Sequence, residues 1–271
     1  MKRGTPPSAS RREVARESWR RFGEFVPEMR RPGSAALVWS GIGLACVLAL
    51  ALGGAVSGAL PLGPLLVQST FGVWAAAWMR GFWSRRAAYR ERYGALAYRE
   101  LFFRFLVPAV VGAVSALCFP ALVGGERLAP PLLAHGLAAY LFVSMLLLEL
   151  RGRAVFWDFT LRAFVYSVFP ERGRLLTSGI FHWLRHPVYS AAMRFAFGLA
   201  ALRNNALALA CAGLTALGLW LWARMEERDL EEREPAYAEY HRRVPAFFVA
   251  RPLRLWRFLA TGRDRPLGGF R

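Results

Sequence analysis

The chain has 271 residues, of which 55% are hydrophobic and only 20% charged, and its mean hydropathy is positive. That balance excludes an ordinary soluble globular domain and puts an integral membrane protein first. The net charge of +18 would mark a nucleic-acid partner only if it gathered on one soluble face, and it is instead divided among the gaps between apolar runs.

Residues 1–34 begin as a polar Pro/Ser tail and continue as REVARESWRRFGEFVPEMRR. Here Val14, Trp19, Phe22, Val26 and Met29 approximate one helical face among arginines and glutamates. The segment reads as an amphipathic helix lying at a membrane interface, or equally as a solvated tail, and its long basic stretch is not that of a secretory signal. Six apolar runs follow, at about 35–59, 62–79, 105–124, 131–150, 188–202 and 205–223. The second and fifth are short for a hydrocarbon core ~30 Å thick and read as partial or tilted spans. Cys46, Cys118 and Cys211 each sit inside an apolar run, with no CxxC pair, and read as small buried hydrophobes. The expected fold is all-α: a multi-pass transmembrane helical bundle of about six spans.

Charge supplies the sidedness. Basic residues number nine in 1–34, seven in 80–104, six in 151–187 and eleven in 224–271. The alternate connections carry only Arg127 and Arg203, and Arg194 lies inside a span. Cytoplasmic loops retain Lys and Arg, so this alternation predicts that both termini are cytoplasmic. Arginine supplies 35 of the 36 basic residues, a bias expected of a GC-rich bacterial genome, so the predicted location is a bacterial cytoplasmic membrane. The chain thus divides into an N-terminal segment (1–34), N-terminal transmembrane helices (35–150), a region built on the last hairpin (151–250) and a basic C-terminal tail (251–271).

Chemistry concentrates at the last hairpin. RHPVY, Arg185 to Tyr189, opens the fifth run, and Glu226 and Glu227 close the sixth, so the hairpin returns both to one face of the membrane. Pro187 fits the first turn of a helix, where its missing N–H costs little, and leaves Arg185 and His186 beside backbone donors and a dipole that favour anions. Seven of the eighteen acidic residues fall between Glu226 and Glu239. Glu231, Glu232 and Glu234 are expected to pair with Arg224, Arg228 and Arg233 on a solvated helix extension. His182 and His186 are four apart, but Pro187 interrupts them and no third ligand is near, so no metal is expected. His135 reads as an interior histidine and His241 as a surface one.

The ordered set G-x5-RHPxY, apolar hairpin, EExxL and YxxYxxRVP resembles the C-terminal signature of the membrane methyltransferases that include isoprenylcysteine carboxyl methyltransferase and phospholipid N-methyltransferases. The residues are Gly179, Arg185-His186-Pro187-Val188-Tyr189, Glu226-Glu227 with Leu230, and Tyr237, Tyr240, Arg243, Val244 and Pro245. The resemblance implies S-adenosylmethionine as methyl donor. By it, His186, Pro187, Tyr189, Glu226, Glu227 and Tyr240 bind the cofactor, and Arg185 and Arg243 are catalytic, Arg185 helping to order the site and Arg243 approaching an anionic group of the acceptor. It further implies a hydrophobic acceptor, prenylated or lipid-like, that enters from the bilayer and offers a carboxylate, amine or thiol. The stretch EREPAY, with Pro235 ahead of Tyr237, departs from the family pattern. Two alternatives stand beside this reading: a membrane reductase of the sterol-reductase class using NADPH, which shares an R-H-P-x-Y-like element, and a non-enzymatic membrane protein.

Overall fold

The computed structural model describes residues 19–20, 22–172, 175, 177, 179–248 and 252–261; the side chains of 152–163, 172 and 252 fall outside that description. Every regular element among the described residues is helical: α1 (Pro32–Ser57), α2 (Gly63–Tyr93), α3 (Ala97–Leu101), α4 (Val107–Cys118), α5 (Pro131–Val168), α6 (Pro187–Arg203), α7 (Ala206–Arg233), α8 (Tyr237–Arg243) and α9 (Pro252–Thr261). All six apolar runs are therefore helical. Among the described residues, four helical stretches are long and apolar enough to cross a membrane: Pro32–Ser57, Gly63–Leu122, Pro131–Arg151 and Ala206–Arg233. The second contains both α2 and α4, joined through Gly94, whose φ of +51° turns the chain, and a π-helical turn at Phe102–Leu106. Helix α6 has 17 residues, about 25 Å of rise.

Proline opens six of these helices within their first two positions, where the ring fixes φ and no intrahelical N–H bond is lost. Large apolar side chains such as Leu37, Leu52, Leu132 and Leu133 are more than 60% exposed, the outward face expected of helices in lipid. Where helices meet, small residues let backbones approach. A Cβ on Gly112 of α4 would lie 3.0 Å from the Ala75 backbone nitrogen of α2.

The turn between α6 and α7 is two asparagines. Asn204 ends α6 in the left-handed conformation (φ 51°, ψ 45°), and Asn205 caps α7 by accepting from the Ala208 N–H at 2.8 Å. Both also bind the preceding loop: Asn204 exchanges hydrogen bonds with the backbone of Ala129, and Asn205 donates to the Val123 carbonyl. The turn end carries Arg203, which donates to Val123. At the far end of α7, about 30 Å away along the axis, Asp229 pairs with Arg86 of α2 and Arg233, and Glu227 pairs with Arg185. Arg86, Arg185 and Arg233 thus gather at one end of α7, and Arg203 lies at the other.

Three expectations change. Phe22, Val26 and Met29 do share a face, but it is buried against Tyr98, Leu101 and Phe102 rather than laid on lipid; Val14 lies outside the described residues. Residues 252–261 of the expected tail form a helix whose Leu255, Phe258 and Leu259 pack on Ile180, Trp183 and Leu184, with Trp183 and Phe258 stacked at 5.7 Å; the tail beyond Thr261 lies outside the described residues. His135, expected inside, is exposed on α5. Cys46 and Cys211 are buried, and Cys118 is half-buried.

Candidate functional site

The hairpin geometry brings RHPVY onto the carboxylates of α7. Pro187 is the first residue of α6, so Arg185 and His186 project just ahead of the helix. The Arg185 guanidinium donates to Glu227 Oε1 from both Nε (2.8 Å) and Nη2 (2.7 Å), and from Nη1 to the carbonyls of His241 (2.7 Å) and Val244 (2.5 Å). Its side chain is 9% exposed and that of Glu227 4%. A buried ion pair is tolerable only when other groups also satisfy it, and here two backbone carbonyls of 241–244 take the Nη1 donors. His186 Nε2 meets the same Glu227 oxygen at 2.9 Å. The imidazole stacks on Tyr189 at 5.4 Å with the planes 13° apart, and Phe247 covers it at 5.6 Å.

Glu226 is the more open carboxylate. Its Oε2 accepts from the Tyr189 hydroxyl at 2.8 Å, while its Oε1 has no hydrogen bond among the described residues. The two glutamate carboxylates and the Arg185 guanidinium together carry one net negative charge. That charge and a free carboxylate oxygen suit a ligand bearing a cation and hydroxyl or ammonium donors.

The chain after α8 closes the site. The N–H groups of Arg185 and His186 donate to the carbonyls of Pro245 (2.9 Å) and Ala246 (3.0 Å), and the Ser190 hydroxyl donates to the Phe247 carbonyl at 2.8 Å. The donors expected to be open to an anion at the start of α6 are therefore engaged within the protein at these two residues.

Of the residues expected at the site, Arg185, His186, Pro187, Tyr189, Glu226 and Glu227 converge. Tyr240 lies beside them, but its hydroxyl donates to the Phe181 carbonyl at 2.6 Å, which ties α8 to the turn before α6. Arg243 is half exposed and pairs with Glu239 on its own helix. Sequence reasoning missed His241. It is partly buried, bonds Glu231 through Nδ1 at 2.5 Å and stands 3.7 Å from Glu227 Oε2 through Nε2. Glu231 therefore joins α7 to α8, while Arg233 pairs with Asp229. Tyr237 and His241, four apart on α8, were the available signal for that face. Burial first, and then the negative charge of Glu227, push the Tyr237 hydroxyl upward, so it stays protonated at neutral pH.

An apolar cavity of about 280 Å³ lies elsewhere along α7. It lies between α2, α4 and α7, from Gln68 and Thr215 at one end to Trp222 and Met225 at the other. Trp222 lies 6.4 Å from the Tyr189 ring, and Met225 immediately precedes Glu226. The cavity thus follows α7 as far as Trp222 and Met225, and neither carboxylate lines it. Among the described residues no group of His, Cys, Asp and Glu has the arrangement of a metal site.

Comparison with known proteins agrees with the motif reading. Residues 133–233 match the phospholipid methyltransferase family model. The match takes in RHPVY and Glu226-Glu227 and stops short of Tyr237, Tyr240 and Arg243. The resemblance drawn from the motifs is thereby borne out for the hairpin. A cobalt-zinc-cadmium resistance protein, CzcN, of Cupriavidus metallidurans is 37% identical over 82 residues, which cover 29% of this chain and 37% of that protein. No solved structure matches at a significant level.

Proposed function

We propose that this protein is an integral membrane methyltransferase that uses S-adenosylmethionine and methylates a hydrophobic, lipid-like acceptor. The observation that carries the reading is the joining of Arg185, His186 and Tyr189 to Glu226 and Glu227 at the arginine-rich end of a hairpin that matches the phospholipid methyltransferase family. The residues fit the cofactor by their chemistry. Glu226 offers an unengaged carboxylate oxygen, two carboxylates against the one Arg185 cation suit a sulfonium, and the stacked His186 and Tyr189 give a flat wall.

When bound, the cofactor supplies an electrophilic methyl group. Glu226 would accept hydrogen bonds from its polar groups, and Glu227 would offset its positive charge. Arg185 holds Glu227 and the returning 241–246 segment in place, a positioning role, because its Nε, Nη1 and Nη2 all bond groups of the protein itself. Phe247 and Trp222 exclude water from the reacting end, which strengthens these charges. The cavity along α7 would take the acceptor's apolar part and direct its polar end toward Tyr189 and Glu226. Orientation and desolvation carry such a transfer, and a carboxylate or thiolate acceptor needs no base.

The wider arrangement follows from charge. Six crossings, with α6 tilted or partial, put both termini and the pocket on the cytoplasmic side, where the soluble cofactor is available. The arginine bias points to a bacterial cytoplasmic membrane. The test is ligand binding to the full chain in an uncharged detergent. S-adenosylmethionine should bind and NADPH should not, and Glu227→Gln should abolish the binding. NADPH binding without S-adenosylmethionine binding would replace this reading with the reductase one.

A further inference from the structure

Helix α6 carries one arginine within its apolar length. Arg194 lies two turns beyond His186 on the face that His186, Ser190 and Arg194 share at four-residue spacing, about 12 Å farther along the axis. An ionised side chain within a span is costly unless paired, and Arg194 meets no carboxylate among the described residues. Its Nη1 donates to the Ser190 carbonyl at 2.9 Å and contacts the Ser190 hydroxyl, and the guanidinium covers the Phe248 ring at 5.6 Å. Ser190 is fixed in turn by its bond to the Phe247 carbonyl, and Phe247 lies over His186. A continuous run of contacts therefore sets the orientation of Arg194 relative to the pocket.

The remaining edge of the guanidinium, Nε with Nη2, has no partner among the described residues and is not sealed off, because the side chain is only partly buried. That edge presents two parallel N–H donors, the fork that takes a carboxylate or a phosphate by paired hydrogen bonds. Arg185 shows the comparison within the same protein: its Nε–Nη2 edge is closed on Glu227. The side chain of Arg194 bends back toward the arginine-rich end, as a simple interface anchor would. An anchor, however, does not need the ordered Ser190–Phe247 support or a fork left open beside the exposed Phe248 ring.

We propose that the Nε–Nη2 edge of Arg194 binds the anionic group, phosphate or carboxylate, of the lipid-like acceptor; this rests on the methyltransferase reading above and narrows its acceptor to an anionic amphiphile. Arg194 is then a specificity-determining residue, a role that sequence reasoning gave to Arg243, which is half exposed and paired with Glu239.

The test measures binding of four probes to the full chain in uncharged detergent by microscale thermophoresis: oleate, oleoyl lysophosphatidic acid, oleyl alcohol and inorganic phosphate. The wild type should bind at least one of the two anionic amphiphiles and neither the alcohol nor inorganic phosphate. Arg194→Gln should weaken that binding by about tenfold or more, and Arg194→Lys, which keeps the charge but loses the fork, should fall between them. Both variants should bind S-adenosylmethionine as the wild type does, which also reports that they fold. Equal affinity for the anions in wild type and Arg194→Gln, or equal affinity of the wild type for alcohol and anions, overturns the proposal. Binding of inorganic phosphate that Arg194→Gln abolishes overturns the lipid-borne source. Failure of the underlying reading has a different signature: no S-adenosylmethionine binding in any variant, whatever the anions do.

Discussion

Arg185 and Glu227, 42 positions apart, meet through two guanidinium nitrogens on one carboxylate oxygen, at 2.8 and 2.7 Å. The same guanidinium holds the carbonyls of His241 and Val244, so a single side chain joins α6, α7 and the segment after α8. This gives Arg185 a structural weight that a ligand-contacting residue would not have.

Arg185→Ala should therefore destabilise the protein by about 3 kcal/mol or more, because it leaves Glu227 buried without its cation and two carbonyls without donors. Arg185→Lys should recover only part of that, since one ammonium cannot reach all three acceptors in the same geometry. Thermal unfolding in detergent, followed by circular dichroism, measures both.

Glu226 and Glu227 should separate in their effects. Glu226→Gln keeps an acceptor for the Tyr189 hydroxyl and lies at the more open side of the pocket. It should lower S-adenosylmethionine affinity by about tenfold while leaving the unfolding temperature nearly unchanged. Glu227→Gln should lose cofactor binding and stability together, because Arg185 and His186 both depend on it. Isothermal titration alongside thermal unfolding reads the two quantities on the same samples.

Tyr240 offers a contrast between sequence motif and structure. Its hydroxyl is hydrogen-bonded to Phe181, away from the carboxylates. Tyr240→Phe should cost about 1 kcal/mol of stability and leave S-adenosylmethionine affinity within about twofold of wild type. A large loss of affinity with unchanged stability would return Tyr240 to the ligand.

At the opposite end of the hairpin, Asn205→Ala removes the cap on α7 and the bond to Val123. A loss of about 1–2 kcal/mol is expected. Cofactor affinity should be retained, since the change lies about 30 Å from Glu226.

The sequence was most legible where chemistry and periodicity coincide. Pro187 marked the start of α6, and the length of the two apolar runs returned Glu226 and Glu227 to the level of His186. Both follow from local rules of helix initiation and rise. Periodicity also placed Phe22, Val26 and Met29 on one face, but a face does not name its neighbour, and the buried partner proved to be α3 and the chain after it rather than lipid. The closure of the site by residues 241–247 was not legible, because it uses main-chain carbonyls that carry no residue-type signature. His241 was missed for a related reason: its partner Glu231 lies across the turn between α7 and α8, and spacing along one helix cannot register it. Arg194 was visible only as a basic residue out of place in a span.

The measurement that bears most directly on the central claim is methyl transfer itself. Membranes holding the full chain, and matched membranes holding Glu227→Gln, are incubated with S-adenosylmethionine labelled in its methyl group, and lipid, protein and volatile fractions are then separated. The account predicts label in the lipid fraction with the wild type and background label with Glu227→Gln. Equal labelling of all fractions by the two proteins, at the level of membranes lacking the chain, would contradict it.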